Sequence, residues 1–118
     1  MRQMISSGSV TAFFLDRKNV ILQLQVVCQE AVERFPECLE FRLFGSIAKG
    51  VQTGLSDVDL FVLVKQSQHS NPVERIRPYF DFFSEKLDIA VDVIVASVDE
   101  IDRLKEFLEG SILLAKRN

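Results

Sequence analysis

A chain of 118 residues suits one compact domain and leaves no room for a second of ordinary size. Its 47% hydrophobic and 26% charged residues are the balance of a globular protein with a real core, which excludes intrinsic disorder. A net charge of -3 argues against nucleic acid as a partner, because the overall field repels a polyanion. No apolar run approaches the ~20 residues that span a bilayer, and MRQMISSGSV lacks a hydrophobic signal core, so no membrane association and a cytoplasmic location are expected.

Residues 1–15 are weakly patterned and form either a flexible arm or an extra turn of helix. From Asp16 to Phe35 the residues Val20, Leu24, Val27, Cys28, Ala31 and Phe35 recur at helical spacing, which predicts an amphipathic helix ended by Pro36. The period then changes. Leu39, Phe41 and Leu43 alternate with Glu40 and Arg42, the mark of a half-exposed strand, and GSIAKG from Gly45 turns the chain into a short helix. After a loop over 51–56, VDLFVLV is apolar on both faces and predicts a central strand.

Asn71 and Pro72 supply an N-cap and a first helical residue. Val73, Ile76, Phe80, Phe83 and Leu87 give that helix a stripe, which Pro78 should kink or interrupt. A third strand spans Asp88 to Ala96 and holds one interior acid, Asp92. Ser97 and Glu100 then form a capping box for a helix that runs over Ile101, Leu104, Phe107 and Leu108 to Gly110. The tail SILLAKRN pairs as a short edge strand or docks on a partner. This order describes an α+β (α/β) domain, a small mixed β-sheet flanked by helices.

Asp57 and Asp59 are costly at the entrance of an apolar strand unless something compensates their charge. Residues i and i+2 of a strand share a face, with α-carbons ~6.6 Å apart, so the two carboxylates suit a pair of divalent ions. Asp92 offers a third carboxylate if its strand pairs beside theirs. Gly45 and Ser46 stand where a strand gives way to a helix, an arrangement that holds phosphate with free backbone N–H groups and a hydroxyl. Lys49, one turn on, adds a positive charge on the same side. Together these residues describe a site for a nucleoside triphosphate with magnesium.

FGSIAKG followed by SDVDLFVLV resembles the signature of the DNA polymerase β superfamily of nucleotidyltransferases, in particular the minimal MNT-type proteins with the pattern GSxARG…SDxDL. The resemblance runs from about Leu39 to Val95. It implies a polymerase β-like nucleotidyltransferase fold, with Gly45, Ser46, Lys49 and Ser56 contacting the nucleotide. Asp57, Asp59 and Asp92 would be the catalytic, metal-binding acids, with two Mg2+ ions and ATP as substrate. Lys49 stands where the family often has arginine, which keeps the charge and loses the bidentate fork.

The reaction implied is transfer of AMP from ATP to a hydroxyl. Too few residues follow Asp92 for an acceptor-binding domain, so the acceptor is expected on a separate protein. For MNT-type proteins that partner is typically an all-helical HEPN protein, with the nucleotidyltransferase as antitoxin in a homo- or hetero-oligomer. Two other readings are open: an antitoxin that only binds nucleotide or partner, and a small-molecule nucleotidyltransferase that borrows its acceptor pocket from a second domain or a dimer.

Other residues are read more plainly. Cys28 and Cys38 have no metal-ligand spacing and are expected to be reduced thiols, Cys28 in the core. His69 lies in a polar loop, and Tyr79 is a packing residue. Phe13, Phe14 and Leu15 form either an exposed patch or a core-facing turn. The acid-rich stretch from Asp81 to Glu109 is a solvated helix face or a surface for a basic partner.

Overall fold

The computed structural model describes residues 10–50, 57–66 and 71–118, and within these the side chains of 10–16 and of Ser46 lie outside the description. The expectations for Ser56, His69, the Ser46 hydroxyl and the patch Phe13 to Leu15 therefore fall outside the described residues and side chains. The elements follow in the order α1 (Val10–Arg34), β1 (Cys38–Phe44), α2 (Gly45–Lys49), β2 (Val58–Val64), α3 (Pro72–Lys86), β3 (Val91–Ser97), a 3-10 helix (Val98–Leu104) and β4 (Ile112–Lys116). The strands form one mixed sheet in the order β3-β2-β1-β4. β2 and β3 run parallel, while β1 is antiparallel to both β2 and β4.

The register explains why β2 is apolar on both sides. Val58, Leu60 and Val62 share a face with Leu43 and Phe41 of β1 and with Val91, Val93 and Val95 of β3. On that face α1 packs against β1 and β4 and α3 against β3, enclosing a core that includes Leu24, Cys28, Ala31, Phe35 and Phe83. Asp59 and Phe61 point to the other face, together with Phe44, Asp92 and Ile94. Phe61 is nonetheless fully buried, on the face where the Phe107 ring meets Phe44 with centroids 4.8 Å apart. The tail takes the edge-strand course, and the Arg117 guanidinium ties it down by donating to the carbonyls of Cys38, Val32 and Phe35.

Of the two alternatives offered for the start of the chain, an arm or an extra turn of helix, residues 10–15 take the second and continue α1, because each added residue extends the helix's own ladder of hydrogen bonds. Other details differ from the sequence reading. α3 runs uninterrupted through Pro78. Its buried seats are Tyr79 and Phe83, whereas Val73 and Phe80 are exposed; Tyr79 packs as expected, edge-on to Phe35, with its hydroxyl donating to Glu37.

The stretch after Ser97 is a 3-10 helix that gives way to turns before Gly110, not one α-helix. None of its helical residues is buried, and a short helix without a packed face is marginal. The Glu100 half of the capping box does form, with the Ser97 N–H donating to the Glu100 carboxylate at 2.9 Å. The same carboxylate takes the Arg75 guanidinium of α3 at 2.8 Å.

Candidate active site

The parallel register of β2 and β3 sets Asp59 directly beside Asp92. Paired strands lie about 4.8 Å apart, and directly opposed residues present their side chains to the same face. Asp57 immediately precedes β2, two residues upstream of Asp59, so three carboxylates gather at one end of the sheet on the face away from α1 and α3. Asp57 and Asp92 are exposed and Asp59 is half-buried. Sequence periodicity could place Asp57 with Asp59; the partnership with Asp92 required the strand order and register.

Gly45 is built into the same corner. Its φ is +82°, a left-handed conformation that L side chains rarely adopt, and a Cβ there would lie 2.2 Å from Asp59 Oδ2. The backbone at the start of α2 therefore rests on the Asp59 carboxyl group. Only glycine combines that dihedral with that approach. Phe44, the residue before it, is the β1 partner of Asp59, which fixes the height at which the turn meets the acid.

The electrostatics follow from the crowding. Burial pushes the Asp59 carboxyl above its ordinary range, and the charges of Asp92 and Asp57 push it further the same way. Among the described residues no lysine, arginine or histidine forms an ion pair with Asp57, Asp59 or Asp92. Among the described residues their charge has no cationic partner.

Such a set, all oxygen and all carboxylate, has the chemistry of a ligand set for a hard divalent cation. Among the described residues no three acidic, thiol or imidazole side chains converge on one point. The backbone register sets Asp59 and Asp92 side by side, and staggered rotamers offer each carboxylate more than one direction. The residues fit a divalent metal in charge and donor type.

α2 is only five residues long, and it is held at its far end by a residue that the sequence did not single out. Arg17 of α1 donates from Nε to the Ile47 carbonyl at 2.7 Å and from Nη2 to the Ala48 carbonyl at 2.9 Å. An arginine among other polar residues near the start of a helix carries no pattern that predicts this. Lys49, the last residue of α2, is exposed. Its Cε lies 4.0 Å from where a Cβ on Gly110 would stand, so its stem runs beside the turn that precedes β4.

Residues 27–118 match the family model described as Polymerase beta, Nucleotidyltransferase. Among solved structures, the crystal structure of a candidate nucleotidyltransferase from Sulfolobus solfataricus superposes with a TM-score of 0.69 at 24% sequence identity, covering 97% of this chain and 94% of that one. At that identity the likeness is one of fold, shared almost end to end. No curated protein matches the sequence. Among the described residues no helix is long and apolar enough to cross a membrane.

Proposed function

The chain belongs to the polymerase β nucleotidyltransferase family, and on that premise we propose that it transfers AMP from ATP to a hydroxyl group on a partner protein, releasing pyrophosphate. The observation that carries this reading is the register that sets Asp59 beside Asp92, with Asp57 two residues upstream and Gly45 seated on the Asp59 carboxyl group. Three carboxylates beside a glycine turn give a nucleotide both a metal-binding flank and a backbone that approaches closely.

In this proposal Asp57, Asp59 and Asp92 would hold divalent ions, magnesium, which would supply charge neutralisation at the triphosphate and a lower pKa for the attacking hydroxyl. Gly45 and Ser46 line the phosphates, with Lys49 and Ser56 as further contacts, and they keep the α-phosphorus in line with the acceptor. Asp92 accepts the acceptor's proton, since a carboxylate offers about four lone-pair sites. As the acceptor oxygen bonds to the α-phosphorus, the bond from that phosphorus to its bridging oxygen breaks, and pyrophosphate carries the electron pair away.

An all-helical HEPN protein is the acceptor that the resemblance supplies, with this chain as its antitoxin. The test is mass spectrometry of the HEPN protein after incubation with the chain, ATP and Mg2+. One AMP added by the wild type and none by Asp57→Asn or Asp59→Asn is the expected result. A partner that is neutralised with its mass unchanged refutes transfer and leaves a binding antitoxin.

A further inference from the structure

The nucleotidyl-transfer reading, on which this inference rests, needs the Gly45–Lys49 turn to be held at a fixed height above the acids. A five-residue helix cannot hold itself there, because isolated helices shorter than ~12 residues are marginal in water. Gly45 at one end leaves no room for a Cβ beside the Asp59 carboxyl as it stands, so turn and acid are close neighbours there. The other end is where the position of the turn is decided.

We propose that Arg17 is a positioning residue for nucleotide binding, acting through α2. Its guanidinium bonds two successive carbonyls, Ile47 at 2.7 Å and Ala48 at 2.9 Å, in a partly buried setting. These belong to the last turn of α2, where carbonyls lack the usual partner four residues on and the helix dipole is negative, so a cation is favoured there. Two bonds in the fixed fork of one guanidinium restrain rotation as well as distance, which a single ammonium cannot do.

Gly50 completes the arrangement. It ends the helix with φ +73°, its N–H donating to the Ile47 carbonyl at 3.2 Å, and a Cβ at that position would stand 3.6–3.7 Å from the Arg17 guanidinium. The turn is thus clasped between a cation on α1 and the acid on β2. Among the described residues Arg17 forms no ion pair with an acid; in this proposal it sets where Gly45 and Ser46 stand relative to Asp59.

The experiment measures MgATP affinity by calorimetry for the folded wild type, Arg17→Ala and Arg17→Lys, alongside melting temperature. Arg17→Ala is expected to bind MgATP about tenfold more weakly, the factor that 1.4 kcal/mol represents. Added guanidinium chloride at low millimolar concentration is expected to restore much of that loss. Arg17→Lys, which keeps the charge without the fork, is expected to fall between the two and serves in place of Arg17→Ala if that variant does not fold.

Hydrogen exchange without nucleotide is expected to quicken at 45–50 and not in the sheet. A merely stabilising role lowers the melting temperature and leaves the affinity of the folded molecules unchanged; that result overturns the proposal while the nucleotidyl-transfer reading stands. A wild type that binds no MgATP overturns both.

Discussion

Gly45→Ala tests the contact between the turn and the acid most directly. Two separate penalties are expected. At φ +82° a non-glycine residue sits in a sparsely populated region, which costs of order 1–3 kcal/mol. The new methyl would also stand 2.2 Å from Asp59 Oδ2, 3.1 Å from its Cγ and 3.3 Å from its Cβ. The carboxylate can swing away, at about 0.5–1.5 kcal/mol for an off-rotamer side chain, but its Cβ cannot. The sum is about 1.5–4.5 kcal/mol, and with an unfolding entropy near 2.1 cal/mol/K per residue it lowers the melting temperature by roughly 6–18 °C.

Circular dichroism melts of Gly45→Ala, Asp59→Ala and the double variant separate the two penalties. In the double variant the oxygen and Cγ are gone, so the rotamer part should be recovered, a coupling of about 0.5–1.5 kcal/mol. The backbone part should persist. A Gly45→Ala protein that melts with the wild type, or penalties that add without coupling, would refute the contact as described.

Asp59 also predicts a pH effect. Its carboxyl pKa is raised by burial and then by Asp92 and Asp57, so its share of stability is present at low pH and is lost as pH rises through the raised value. Asp59→Asn should therefore melt higher than the metal-free wild type at pH 7, and the gap should close on acidification; metal-dependent nucleotide binding should be lost. Glu100 has the opposite sign. Arg75 first, and then the Ser97 N–H, hold its pKa at about 2, below the ordinary 4.5.

Its stabilisation is therefore present above that ordinary value and is lost as pH falls toward 2. Glu100→Gln should lower stability by about 1 kcal/mol at pH 7 and flatten the acid limb of the melting curve. Burial pushes the Cys28 thiol far up and the Cys38 thiol up to about 12. An alkylating reagent at pH 8 should leave both untouched in the folded protein and modify both in denaturant, by intact mass.

The elements were largely legible because each rests on local chemistry. Asn71 accepts from the Val73 N–H at 2.8 Å as a capping residue before proline does, Phe41 and Leu43 alternate into the core, and VDLFVLV is central in the sheet. The stretch after Ser97 misled because its apolar stripe is helical in spacing and yet finds no buried seat, and burial is not a local property. α3 misled in the same way: Phe80 fits the period, but the surface it faces is solvent.

For the site, the residue types and the pairing of Asp57 with Asp59 follow from sequence, since alternation along a strand needs no knowledge of neighbours. Gly45 too is readable as a turn glycine. That Asp92 stands beside Asp59 was decided by a parallel register between strands 33 positions apart in numbering (92 minus 59). Gly45 needing the Asp59 surface as well as its dihedral, and Arg17 reaching across 30 residues to clasp α2, were likewise decided by packing. A sequence carries the chemistry of each side chain and the period of each element; which side chains meet depends on how the sheet pairs and how the helices seat on it, and those are set by the whole core at once.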